Sequence, residues 1–110
     1  MDNKKSANTV LEDKISIERR YLVDPVISCR IEKGEGAILF NPDNDSTILI
    51  NEQGLLIWEY LAAPRTVDDI SIYISANTGQ SPDKSQVISD VTDFLSDLYP
   101  GFIIEAGNVE

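Results

Sequence analysis

The chain of 110 residues contains no histidine, one cysteine (Cys29), one methionine and one tryptophan. Without histidine it lacks the commonest general base and metal ligand of proteins. One thiol can neither close an internal disulfide nor build a thiolate zinc site. No glycine-rich loop precedes a helix in a phosphate-binding pattern, and carboxylates are plentiful but assigned to surfaces. These gaps argue against an enzyme and against a bound cofactor or metal. No run approaches the ~18 apolar residues of a membrane-spanning helix. The opening "MDNKKSANTVLEDK" has basic residues but no apolar stretch behind them, so it does not read as a signal peptide, and the expected compartment is the cytoplasm.

Basic residues are also scarce where they would matter. Residues 21–110 hold four basic and fifteen acidic side chains, a net of −11, within an overall charge of −10. Such a surface repels phosphate backbones and anionic lipid, so neither nucleic acid nor membrane is an expected partner. Basic partners suit it better.

What is present reads as one domain. Hydrophobic content of 42% supports a single core. Residues 1–20 are polar and read as a flexible tail, 21–106 as the folded domain and 107–110 as a short C-terminal tail. "VISCRI" (26–31) places Ile27, Cys29 and Ile31 on one face, so Cys29 is expected to be a buried small apolar side chain. "GAILF" (36–40) and "STILI" (46–50) are further strands, rich in apolar and β-branched residues. The links "EKGE" and "NPDND" carry turn residues, and links this short imply an antiparallel meander. "ISIERRYLV" (15–23) and "FII" (102–104) could each add a strand.

The period then changes. Asn51 is positioned to cap a helix that is apolar nearly all round and stops before Pro64. Thr66 with Asp69 three residues on forms an approximate capping box for a second helix with Val67, Ile70, Tyr73 and Ile74 inside. Gly79 fits its C-terminal position. Ser81 and Pro82 are expected to open a third helix, whose Val87, Ile88, Val91, Phe94, Leu95 and Leu98 share a ~120° arc. The predicted fold is α+β and winged-helix-like: a three-stranded antiparallel sheet followed by three helices.

Two features point to binding. The strand Ser46–Ile50 ends the meander, yet it has none of the lysine, proline or bulge glycine that protects an exposed edge. Asp83, Asp90 and Asp97 recur every seven residues along one border of the third helix's apolar stripe. A winged-helix regulator or an acidic protein–protein scaffold is the alternative, but a DNA-reading third helix with four aspartates and one lysine, Lys84, has the wrong sign.

The segment "ILINEQGLLIWEYLAAPRTVDDI" (48–70) resembles the signature of the PqqD-like family, through Leu49 to Glu52, Leu56-Ile57-Trp58, Leu61, Pro64 to Val67, and Asp69-Ile70. "DVTDFLSDLYPGFI" (90–103) resembles the family's closing helix. Ala62-Ala63 departs from its usual Asp-Gly turn. The resemblance covers about residues 20–105. It implies a non-catalytic precursor-peptide recognition element. Such a protein binds the leader segment of a ribosomal precursor peptide and presents it to a modifying enzyme, commonly a radical S-adenosylmethionine (radical SAM) enzyme. Carried over, the leader would add as a strand beside Ser46, Thr47, Ile48, Leu49 and Ile50, with Lys84, Val87, Asp90, Val91 and Phe94 of the third helix opposite.

Overall fold

In the computed structural model, residues 15–78 and 83–106 are described. Most of the expected N-terminal tail (1–14), Gly79, Ser81, Pro82 and the tail 107–110 lie outside the described residues. The meander forms as read: β2 (Ser28–Glu32), β3 (Gly36–Asn41) and β4 (Ser46–Ile50) pair antiparallel in that order. Ile38 sits opposite Leu49, and Leu39 opposite both Cys29 and Ile48.

The turns explain the register. Gly34 and Gly36 have φ of 80° and 110°. At Gly36 a side chain has no room, because a Cβ would lie 1.9 Å from the Ile50 carbonyl oxygen. In the second turn, the Asn41 side-chain oxygen accepts from the Asp43 amide and that of Asn44 from the Ser46 amide. These side chains satisfy amides that the turn takes out of the ladder. Asn41 is buried, and its amide nitrogen also donates to the Gly101 carbonyl at 2.7 Å. That bond ties the hairpin to the chain after the last helix.

Three helices follow: α1 (Glu52–Tyr60), α2 (Val67–Thr78) and α3 (Lys84–Leu98). The Asn51 side chain accepts from the Gly54 amide at 2.8 Å. Thr66 and Asp69 cap α2 reciprocally, each side chain accepting from the other's amide at 3.0 and 2.9 Å. The third helix begins at Lys84, with Asp83 as its flanking residue. Asp83 at φ −57°, ψ 130° is not helical, so the first intrahelical acceptor is its carbonyl.

A second, two-stranded sheet lies outside the meander. β1 (Tyr21–Val23) pairs antiparallel with β5 (Ile103–Glu105). Tyr21 also exchanges backbone hydrogen bonds with Arg65, which fastens β1 to the loop between α1 and α2. The Tyr21 hydroxyl accepts from the Ser16 amide, Ile15 packs against the core and Arg19 pairs with Glu105. Residues 15–20 are therefore attached to the domain rather than part of a free tail, because Tyr21 is an internal anchor and the chain leading to it must follow.

The core lies between the meander and the helices, with Leu39, Leu61, Ile70, Leu95, Leu98 and Ile103 fully buried. Burying a side chain of this size contributes about 1.5–3 kcal/mol. The helices do not cover the whole sheet. α1 packs against β3 and β4, and β2 lies beyond it as the outer strand. This corrects the expected burial of Cys29, which is exposed, as is Ile31 beside it at 57%. Alternation placed both on the helix-facing side, but the covering layer ends before it reaches them. No helix among the described residues is long and apolar enough to cross a membrane.

Candidate functional site

β4 is an edge. It pairs with β3 on one side, and the strands that could have covered the other side, β1 and β5, pair with each other. Among the described residues no strand occupies the free edge of β4. Its side chains divide by period two: Ile48 and Ile50 turn toward the helices, half-buried and buried, while Thr47 and Leu49 face outward, Leu49 at 73% exposure. The free edge therefore offers unpaired backbone groups beside one packed and one open row of side chains.

Where β4 ends, the chain turns into α1 at Asn51. Gly54, in the first turn of α1, lies beneath the ring of Phe94 from α3. A Cβ at Gly54 would sit 3.0 Å from Phe94 Cε1 and 3.1 Å from Ile50 Cβ. The edge strand and the third helix thus meet through the absence of a side chain at this position.

α3 presents Val87 and Val91, both buried, and Phe94, half-buried. Asp90 and Asp97 are exposed on α3; Asp83 is exposed too but precedes the helix, so only two members of the seven-residue series lie on it. Asp90 accepts a hydrogen bond from the Gln86 side chain at 2.9 Å. None of the three carboxylates makes an ion pair among the described residues, where the pairs are Arg19–Glu105 and Arg30–Glu32. Lys84 is exposed at the first residue of the helix.

A cleft of about 380 Å³ opens between the helices. Val87, Asp90, Val91 and Phe94, all singled out from the sequence, line it. So do Gln86 of the same helix, Asn51 to Gly54 at the start of α1 apart from Glu52, Ile57 further along, and Ile74, Ser75 and Thr78 of α2. Lys84 and the five residues of β4 do not line it; the strand reaches it through Asn51. The contribution of α2 was missed because side chains from three helices converge only in the folded chain. Gly54 did leave a signal, being the single residue without a side chain in an otherwise bulky apolar helix.

Little else suggests chemistry. Among the described residues no group of three or more His, Cys, Asp or Glu is placed to hold a metal ion. Partial desolvation, and then the Glu59 carboxylate, push the Cys29 thiol above its ordinary range, the opposite of an activated nucleophile. Arg65 lies over the Tyr60 ring at 3.7 Å, and that ring stacks on Tyr73 at 3.9 Å, a column that locks the α1–α2 corner.

Three solved structures share this fold. Lasso peptide synthetase B1 complexed with the leader peptide has 15% identity and a TM-score of 0.62, covering 76% of this chain and 96% of that one. The PqqD truncation of Methylobacterium extorquens PqqCD was solved in solution. It is described as a functional and stand-alone recognition element for ribosomally synthesized and post-translationally modified peptides. It has 15% identity and a TM-score of 0.64, covering 79% of this chain and 90% of that one. TbiB1 in complex with the TbiA(beta) leader peptide has 20% identity and a TM-score of 0.62, with 81% and 99% covered. At such identities the likeness is one of fold. No curated protein sequence matches the chain significantly. A model of the family described as coenzyme PQQ synthesis protein D matches residues 36–100. That match spans β3 through α3, more than half of the chain, and the chain therefore belongs to the PqqD family.

Proposed function

We propose that this protein is a non-catalytic adaptor that binds the leader segment of a ribosomal precursor peptide. It presents that peptide to a modifying enzyme, a radical S-adenosylmethionine enzyme, and holds no cofactor of its own. The leader adds as a strand to the free edge of β4, beside Ser46, Thr47, Ile48, Leu49 and Ile50. Its inward side chains lie toward Val87, Val91 and Phe94, with Lys84 and Asp90 at the rim.

The observation that carries this reading is the free edge of β4, whose Ile50 meets Phe94 of α3 around Gly54. Free N–H and C=O groups there accept a partner strand, backbone pairing sets the register, and pockets for alternate side chains set specificity. Family membership and leader-bound structures of the same fold support it.

The test is amide chemical-shift mapping during titration with a candidate precursor peptide. Shifts are expected at 46–50 and 84–95. Shifts confined to 67–78 would refute strand addition at β4. Proline supplies a second arm. Only alternate residues present their N–H to a given neighbour, so one of Ile48→Pro and Leu49→Pro should abolish binding and leave the fold intact. The other should damage the pairing with β3. Each variant is checked by circular dichroism.

A further inference from the structure

We propose that Arg65, held over the Tyr60–Tyr73 stack at the α1–α2 corner, is the docking point for one carboxylate of the modifying enzyme. The choice of occupant rests on the reading that this protein presents a peptide to an enzyme; the site itself stands on geometry. None of the three residues lines the cleft or belongs to β4. Tyr60 lies six residues beyond Gly54 along α1, about 9 Å at the rise of a helix.

Arg65 stands apart from the other cations of residues 21–110. Three of the four basic side chains there are exposed: Arg30, which pairs with Glu32, Lys33 and Lys84. Arg65 alone is half-buried, and it makes no ion pair among the described residues, although acids outnumber bases fifteen to four. Desolvating a guanidinium without an acid costs free energy, so other contacts must hold it. Its backbone exchanges hydrogen bonds with Tyr21, its Nε donates to the Tyr60 carbonyl at 2.8 Å, and its guanidinium lies 3.7 Å over the Tyr60 ring. Behind Tyr60 the Tyr73 ring lies at 3.9 Å, the two planes 1° apart. Face-to-face stacking is a poor arrangement for two aromatic rings, and a cation on the outer face offsets it. The nearest acid in sequence that is not exposed, Asp69, is engaged by the Thr66 amide. The terminal nitrogens of Arg65 therefore donate to no acceptor among the described residues. An immobilised fork with its outer N–H groups open is the donor half of a bidentate carboxylate contact. Arginine and tyrosine are also the residues enriched among interface hot spots. The surrounding net charge of −11 repels an acidic protein as a whole, and a doubly charged phosphate more than a carboxylate. The partner that fits is basic in surface and carries one aspartate or glutamate at this point, which fixes its orientation. An exposed ion pair changes affinity by up to about five-fold. A bidentate pair on a fork already ordered should reach about ten-fold.

The test begins with the carboxylate alone. Acetyl-Glu-Leu-amide is titrated into the labelled full chain, with acetyl-Gln-Leu-amide as the comparison, and the Arg65 Nε–H and the Tyr60 and Tyr73 ring protons are followed. The expected result is shifts at all three residues with Glu-Leu and binding weaker by about ten-fold with Gln-Leu. This comparison is between ligands and needs no variant to fold. No shift at Arg65, or equal binding of the two dipeptides, would overturn the site. Arg65→Lys keeps the charge but loses the fork, so it should erase the preference for Glu, whereas Arg30→Gln should keep it; both are checked by circular dichroism. With a candidate modifying enzyme, Arg65→Lys should weaken association by about ten-fold and leave the affinity for a candidate precursor peptide unchanged. Unchanged affinity for the enzyme, or a loss confined to the peptide, would overturn the assignment of the carboxylate to the enzyme. If the precursor peptide moves 46–50 but Glu-Leu leaves Arg65 silent, the docking point is wrong and strand addition stands. If Glu-Leu moves Arg65 but the precursor peptide leaves 46–50 unmoved, strand addition fails and the carboxylate site stands.

Discussion

Gly34 and Gly36 flank one turn, both with positive φ, and they should respond very differently to alanine. At Gly34 (φ 80°) nothing lies within 4 Å of a built Cβ. Gly34→Ala therefore costs only backbone strain, about 1–2 kcal/mol. At Gly36 (φ 110°) the same strain applies, and the Cβ would lie 1.9 Å from the Ile50 oxygen and 2.6–2.7 Å from backbone atoms of Asn51. Backbone cannot rotate away as a side chain can. The junction of β4 with α1 must move, and with it at least one hydrogen bond worth about 1–3 kcal/mol when its partner is left buried. Gly36→Ala should thus cost about 2–5 kcal/mol, against a total stability of about 5–15 kcal/mol. Urea unfolding followed by fluorescence of Trp58, the sole tryptophan and buried at 7% exposure, measures both. The moved junction includes Asn51, so Gly36→Ala should also weaken peptide binding beyond its effect on stability, and Gly34→Ala should not. Equal destabilisation by the two substitutions would refute the argument, since it would mean that the packing of Gly36 against Ile50 carries no energy.

Cys29 should label readily in the native protein because it is exposed, yet more slowly at a given pH than an unstructured cysteine. Its raised pKa leaves less thiolate, and Glu59→Gln, which removes one of the causes, should speed the reaction; rates against pH with a thiol reagent check both. Cys29→Ser should change stability by no more than about 0.5 kcal/mol, as surface substitutions generally do, which thermal unfolding reads directly. Asn41→Ala removes a donor to Gly101 and an acceptor for Asp43 from a buried position, and should cost about 1–3 kcal/mol in the same unfolding assay. Replacing Asp83, Asp90 and Asp97 together with Asn should weaken peptide association at low salt and matter little at high salt, by titration at two ionic strengths; unchanged affinity at low salt would make the acidic border a solvated face and nothing more.

Much of this protein was legible in its sequence wherever the deciding interactions were local. Asn51, Thr66 and Asp69 cap their helices because a side chain needs to reach only three residues along the chain. The turns after β2 and β3 follow from Gly34, Gly36, Asn41 and Asn44 for the same reason. The free edge at Ser46–Ile50 was readable as a missing protection. Tertiary structure decided what depends on residues distant in sequence. Alternation put Cys29 and Ile31 on the correct face of β2, but only the placement of α1 over β3 and β4 left that face uncovered. Tyr21 could not announce that it would pair with Arg65 on one side and lead a strand beside Ile103–Glu105 on the other. The cleft is the strongest case: Gly54, Ile74 and Val87 come from three helices, and their convergence depends on helix crossing, which no local pattern encodes. Local chemistry chooses the elements, whereas burial and cavities arise from how far each packed layer extends over its neighbour.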